Sequence, residues 1–239
     1  MPSKARGRTD QDRVAELEAA AERRTRDLQA ALEQRSNLLH ELDHRVKNNL
    51  QLISSLMLLQ ARRASDPAVK AALGAMQGRL AAVGVVHRRL FQSEDVTCFD
   101  VSDFLRDMVA ELSGPSARQD VEIVCRLEPA LVPAAKAAPL ALLINELLTN
   151  AFQHAFPDGR AGRLSIAVVN DDTGIGIEIA DNGVGTAVGG QPGGGQEGFG
   201  LTIVELLAKQ LQARVAREDS DPGLRVTVKL PRDNHGGGR

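Results

Sequence analysis

Apolar residues in the first third of the chain recur at three- and four-residue steps. From Val14 the pattern runs without glycine or proline to about Arg63, which predicts one long amphipathic helix. Val14, Leu17, Ala21, Leu28, Leu38 and Leu42 fit a loose heptad with Arg24 and Arg35 on its seam. A weak coiled coil is therefore expected over 13–35, after a disordered tail at 1–12. A rod of about 50 helical residues spans ~75 Å and calls for a partner helix. Ser65-Asp66-Pro67 stops and restarts the pattern, with Asp66 as N-cap and Pro67 at the first helical position. The second helix has Val69, Ala72, Leu73, Met76, Leu80, Val83, Val86, Leu90 and Phe91 on its apolar face. So short a turn folds it back on the first as a hairpin. An isolated hairpin exposes too much apolar stripe, so a homodimer is expected, with two hairpins forming a four-helix bundle.

Past Ser93 the periods mix. A helix is predicted at about 101–113 and a strand at Val121–Leu127. A long apolar helix follows from about Ala137 to Phe156, then strands at Leu164–Val169 and Ile175–Ala180. A glycine-rich stretch from Gly183 to Gly200 leads into a helix at 200–211, and strands at Arg214–Arg217 and Leu224–Leu230 close the region. Helices and mostly antiparallel strands in this order suggest an α/β sandwich with helices on one face of the sheet. The expected domains are thus 36–95 for the hairpin and 96–232 for the sandwich, with a flexible tail at 233–239.

Composition narrows the classes. The chain has 239 residues, of which 43% are apolar and 25% charged, with a net charge of −2. This is an ordinary soluble balance that points to neither nucleic acid nor an anionic membrane. No uncharged apolar run reaches the roughly 18–20 residues of a membrane span, and the polar, basic start lacks an apolar signal region, so a cytoplasmic location is expected. Cys98 and Cys125 lie far apart, without metal-ligand spacing, and read as free thiols.

Four stretches carry candidate chemistry. On the first helix, His40, His44, Lys47, Asn48, Gln51 and Ser55 share a polar stripe, which shows a histidine to solvent among Glu41, Arg45, Lys47 and Asn48. In the apolar helix, Glu146, Asn150 and His154 fall on one face with Gln153 beside them. Asn is a poor residue for a helix interior and is costly to bury unpaired. Its amide oxygen suits Mg²⁺, which takes few protein ligands plus phosphates and water. Asp181-Asn182-Gly183-Val184-Gly185 ends a strand. A carboxylate there can accept from an adenine amino group, and the glycines permit a sharp turn and close approach of a ligand. Gly198-Phe199-Gly200-Leu201 opens the next helix, where free N–H groups favour phosphate. Gly189–Gly195 between these motifs is expected to be a mobile lid over 186–199.

Together, in this order and spacing, the last three motifs resemble the N, G1 and G2 boxes of the ATP-binding domain shared by histidine kinases, gyrase, Hsp90 and MutL. The resemblance implies that Asn150 holds magnesium, that Glu146 is the N-box acid, and that Asp181 contacts adenine. Gly183, Gly185, Gly198 and Gly200 match the nucleotide-loop glycines, with Phe199, Leu201 and His154 beside the nucleotide. His44-Arg45-Val46-Lys47-Asn48-Asn49-Leu50 resembles the phosphoacceptor box of a histidine-kinase subfamily related to the HWE kinases, and Val86-His87-Arg88-Arg89-Leu90 its second-helix signature. His44 then aligns with the phosphorylated histidine. The commonest histidine kinases have an acidic residue next, whereas Arg45 stands here, which leaves Asp43 and Glu41 as candidate proton acceptors and Arg45 and Lys47 as candidate phosphoryl-steadying cations.

The expected function is a soluble, dimeric two-component histidine kinase. It autophosphorylates His44 from Mg-ATP and transfers the phosphoryl group to an Asp of a response-regulator receiver domain, with input from a separate sensor protein or through the coiled coil. Three rival functions draw on parts of the same pattern. A non-catalytic phosphotransfer or scaffold protein would be expected to lose the nucleotide boxes. An ATPase driving conformational change would not need the acceptor box. A zinc metalloprotease fits His40-Glu41-Leu42-Asp43-His44 as H-E-x-x-H, but no third ligand follows at a zincin spacing.

Overall fold

The computed structural model describes residues 3–92, 97–112, 120–185 and 196–232. Residues 186–195 of the lid expected over 186–199, and the tail at 233–239, lie outside them, while 196–199 belong to a helix. The chain divides into two compact units, 1–49 and 50–239. The division falls within helix α1 (Ser3–Arg63). That helix begins ten residues or so before the predicted start, correcting the expected tail at 1–12. After Pro2 only Gly7 opposes helix there, at about 1 kcal/mol. In the first unit, Leu17, Leu28, Leu32, Leu38 and Leu42 are exposed, as an unpartnered heptad stripe would be.

In the second unit, the end of α1 turns through Asp66 into α2 (Pro67–Gln92). The Asp66 carboxylate accepts the Ala68 N–H at 2.8 Å, which is the N-cap predicted from sequence. Gln77 Nε2 donates to the Ser54 carbonyl at 3.3 Å, joining the two helices. The buried face of α2 differs from the predicted one. Val86 is buried as predicted, but Ala82 and Val85 are buried with it, whereas Val69 and Met76 are exposed. The reason is that α2 packs on α4 (Ala134–Asn150), and the stripe assigned to the hairpin is left outside. By length and composition, Pro67–Phe91 is apolar enough to cross a membrane, with a mean hydropathy of 1.2. Here its Arg79 is engaged in an ion pair with α4.

The sandwich has a five-stranded sheet in the order β2-β4-β5-β7-β6: β2 (Val121–Leu127), β4 (Gly162–Asp171), β5 (Gly174–Asp181), β6 (Arg214–Asp219) and β7 (Leu224–Pro231). All neighbouring pairs are antiparallel except β2–β4, whose parallel pairing needs the crossover that α4 supplies. A two-stranded ribbon escaped prediction because each strand has only three residues: β1 (Cys98–Asp100) pairs with β3 (Leu131–Pro133). One sheet face is apolar and buried, with Leu164, Ile166, Val168, Ile177, Ile179, Val226, Val228 and Leu230. The opposite face carries Ser165, Glu178, Thr227 and Lys229, as period-2 alternation requires.

Three helices cover the apolar face. Val101, Phe104, Leu105 and Met108 are the buried stripe of α3 (Val101–Leu112), and Val204, Leu207, Ala208 and Leu211 that of α5 (Gln196–Leu211). In α4 the run from Leu143 to Leu148 is buried on every side, because α2 and α5 pack against it and its apolar residues join those of the sheet in one core. A single apolar core unites these helices, the sheet and the end of α2.

Candidate functional site

Helix α4 carries the first part of the site. Glu146 is buried and Asn150 is half-buried, one turn apart. Both side chains face Gly200 of α5. A Cβ at Gly200 would lie 3.6 Å from both the Asn150 Oδ1 and the Glu146 Oε2, so an amide oxygen and a carboxylate oxygen converge on one glycine. That donor set fits Mg²⁺, a hard ion that uses one or two protein oxygens and completes its shell with phosphate and water. The helix changes character directly after Asn150. Ala151–Ala155 form a π-helical turn, where the sequence predicted α-helix through Phe156. Pro157 cannot donate to the ladder and keeps Phe156 out of the α region (φ −127, ψ 69). His154 is consequently exposed, unlike the buried Glu146 and the half-buried Asn150.

The π turn delivers a carbonyl to the second part of the site. Ala155 O accepts the Val184 N–H at 3.0 Å, clasping the loop after β5 to the end of α4. Gly183 makes this possible, because a Cβ there would meet Ala155 O at 2.1 Å. Gly183→Ala is therefore expected to destabilise the protein by about 2–4 kcal/mol, measured as a lower denaturant midpoint with unchanged slope.

Asp181 closes β5 and is buried. Its Oδ1 accepts the Gly183 N–H at 2.9 Å and the Leu224 N–H at 3.3 Å, while Oδ2 has no partner among the described residues. Burial raises its pKa above the usual carboxylate value, and the two N–H donors offset this only in part. Gly223 packs on the same turn with φ +113, where a Cβ would strike the Asp181 carbonyl at 1.9 Å. Gly185 adopts φ +67, the left-handed conformation expected of a nucleotide-loop glycine.

Gly198 and Phe199 do not precede a helix as predicted. They lie within its first turns, since α5 begins at Gln196. Helix-breaking glycines are tolerated there because α5 is held by its packed Val204, Leu207 and Leu211 stripe. Gly200 is buried and Leu201 half-buried in the same helix.

Sequence reasoning missed Arg79. Its guanidinium grips Glu146 with two bonds, Nε to Oε1 at 2.8 Å and Nη2 to Oε2 at 2.9 Å. Those hydrogen bonds raise the Arg79 pKa against the opposing effect of burial. Nothing local marks a residue 67 positions away as a partner. Gly223 and Ala155 were missed for the same reason. In the second-helix signature, Arg89 binds Asp107 at 2.6 Å and Asp103 at 3.1 Å on α3, and the His87 ring packs on Phe91 with centroids 4.4 Å apart. The Arg89 ion pairs tie α2 to α3 of the sandwich, whereas the ring contact lies within α2.

His44 stands exposed on α1, with Arg45, Lys47 and Asn48 also exposed. Arg45 is ion-paired to Glu41 one turn earlier. Asp43 belongs to the same helix by its backbone; its side chain lies outside the described set. Among the described residues, no group of three or more His, Cys, Asp or Glu could hold a metal ion.

Two families match the chain: "Histidine kinase" over residues 41–115, and "Histidine kinase-, DNA gyrase B-, and HSP90-like ATPase" over 135–234. The blue-light-activated histidine kinase of Rhizobium johnstonii is 32% identical over 195 residues, covering 81% of this chain and 53% of that protein. The sensor histidine kinase PdtaS of Mycobacterium tuberculosis is 28% identical over 206 residues, covering 84% and 40%. The chain thus spans about half the length of the curated relatives it matches. Among solved structures, the histidine kinase domain of the Erythrobacter litoralis EL346 blue-light activated histidine kinase shares the fold, with a TM-score of 0.57 at 22% identity over 82% of this chain and 91% of that one.

Proposed function

The chain belongs to the histidine kinases, joining a histidine kinase domain to an ATPase domain of the gyrase and Hsp90 type, and from this premise we propose that it autophosphorylates on His44 from Mg-ATP. The observation that carries the proposal is that one ATPase domain holds both a buried Asp181, whose Oδ2 has no partner among the described residues, and a Glu146–Asn150 oxygen pair over Gly200, in a chain that also exposes His44 on the acceptor sequence.

Asp181 Oδ2 accepts from the adenine amino group, and Gly183 and Gly185 let the base approach the backbone. Asn150 and Glu146 would hold Mg²⁺ through the oxygens that face Gly200. When bound, the ion neutralises phosphate charge. A neutral imidazole nitrogen of His44 attacks the γ-phosphorus; the N–P bond forms as the bond to the bridging oxygen breaks, and ADP leaves. The imidazole proton passes to a carboxylate. Glu41 is committed to Arg45, so we assign this role to Asp43, adjacent in sequence. Lys47 steadies the transferred group, mainly by positioning and charge. The acceptor downstream is an Asp of a response-regulator receiver domain, and the input comes from a separate sensor segment or protein.

The assembly proposed is a homodimer in the cytoplasm. The exposed stripe of Leu52, Ile53, Leu56, Leu59 and Met76 on the hairpin helices is the contiguous apolar surface a second copy would cover. The kinase proposal is tested by incubating the protein with γ-labelled ATP and Mg²⁺ and mapping the label. Acid-labile, base-stable label on His44 is expected. Label confined to a hydroxyl side chain, or none, would overturn it.

A further inference from the structure

Arg79 takes no part in the chemistry above, yet it is locked to a residue that does. It lies on α2, and its planar fork meets both oxygens of Glu146 on α4, the paired geometry that makes arginine–carboxylate contacts strong. The side chains retain 21% and 7% of their exposure, so water screens the pair little. Gly78 faces α4, where a Cβ would make ordinary contact with the Asn145 amide at 3.7 Å. Arg79 follows directly and reaches Glu146, whose Oε1 also lies 3.5 Å from Asn145 Nδ2.

The decisive point is which oxygen Arg79 occupies. Oε2 receives Nη2 at 2.9 Å, and Oε2 is also the oxygen that faces Gly200 beside Asn150 Oδ1. A guanidinium and a divalent cation drawn to the same carboxylate oxygen repel each other. A carboxylate already neutralised by arginine also offers less attraction to a second cation.

We propose that Arg79 is a latch: the hairpin helix α2 and the Mg-nucleotide compete for the Glu146 carboxylate, so α2 holds the ATPase domain in a low-affinity arrangement until Mg-nucleotide displaces the guanidinium. The inference rests on the reading of Glu146 and Asn150 as the Mg-ATP site. Coupling of this kind is reciprocal. Whatever weakens the hold of α2 on Glu146 tightens nucleotide binding, and nucleotide binding loosens α2 from α4.

The test titrates the full chain with a fluorescent ATP analogue, in Mg²⁺ and in EDTA. Arg79→Gln is expected to lower the Kd in Mg²⁺ by about tenfold, within the usual range of coupling between sites, and to leave the Kd in EDTA unchanged. Equal or weaker affinity of Arg79→Gln in Mg²⁺ would overturn the latch while leaving the site assignment standing. A wild-type chain whose nucleotide affinity ignores Mg²⁺ would instead overturn the site assignment. Should Arg79→Gln fail to fold, judged by circular dichroism, Arg79→Lys keeps the charge but not the fork and is expected to tighten Mg-nucleotide binding less; no gain would overturn the latch. In the wild type, amide exchange along α2 around residue 79 is expected to quicken when Mg-nucleotide is added, and unchanged protection would also count against the latch.

Discussion

Replacing His44 by alanine abolishes acid-labile, base-stable phosphorylation while nucleotide binding persists at the wild-type level. The loss is expected to be complete, because no other residue of the acceptor sequence offers a nucleophile at the same helical position. His40, one turn earlier, is equally exposed on α1, so the variant discriminates between the two histidines. The fold has little stake in the outcome. An exposed helical histidine replaced by alanine changes stability by a few tenths of a kcal/mol, in the direction of better helix propensity. Retained phosphorylation in His44→Ala would move the acceptor to His40 or elsewhere, and lost nucleotide binding would show that the substitution damaged more than the acceptor. Both are read from one preparation by labelled-ATP transfer and by titration.

The second large effect concerns Asp181, where function and stability should move in opposite directions. The side chain is buried, and burial raises its pKa above the ordinary carboxylate value. For a group so raised, the favourable contribution to folding is fully present below the unfolded pKa and is lost as pH rises through the folded value. At neutral pH the ionised carboxylate is thus a burden on the fold. Asp181→Asn removes the charge and keeps an oxygen for the Gly183 and Leu224 N–H groups, so the melting temperature at pH 7 is expected to hold or rise. Nucleotide affinity is expected to fall by roughly ten- to 150-fold. That is the equivalent of the ~1.5–3 kcal/mol of a hydrogen bond to a charged group, now with an amide NH₂ facing the adenine NH₂. The same logic predicts that wild-type affinity declines on acidification at a higher pH than an ordinary carboxylate would require. Unchanged affinity in Asp181→Asn would remove Asp181 from the adenine contact.

Much of this was legible in the residues themselves. Alternation and apolar periodicity located each strand of the large sheet to within two residues, and the Asp66-Pro67 restart marked the helical turn correctly, because those signals are local and strong. The π turn was hidden, since Ala151–Ala155 reads as good helix and Pro157 marks only where that helix must end, not how its last turn is bonded. The start of α5 was also misplaced. Gly198 and Gly200 argue locally against helix, and packing of the following turns outweighs them.

The order of the motifs and their spacing alone determined the kind of molecule: an exposed histidine on a long helix, then a polar face inside an apolar helix, an acidic strand end, and a glycine-bracketed helix. Those features depend on neighbours in the chain, so periodicity and residue chemistry suffice to find them. Tertiary structure alone decided what each polar group faces. It buried α4 on both sides, set Asn150 and Glu146 over Gly200, left Oδ2 of Asp181 without a partner among the described residues, and turned one face of α2 onto the sandwich. It also gave Glu146 a partner 67 residues away. A buried carboxylate needs hydrogen-bond donors or a counter-charge, and only packing can say which groups supply them.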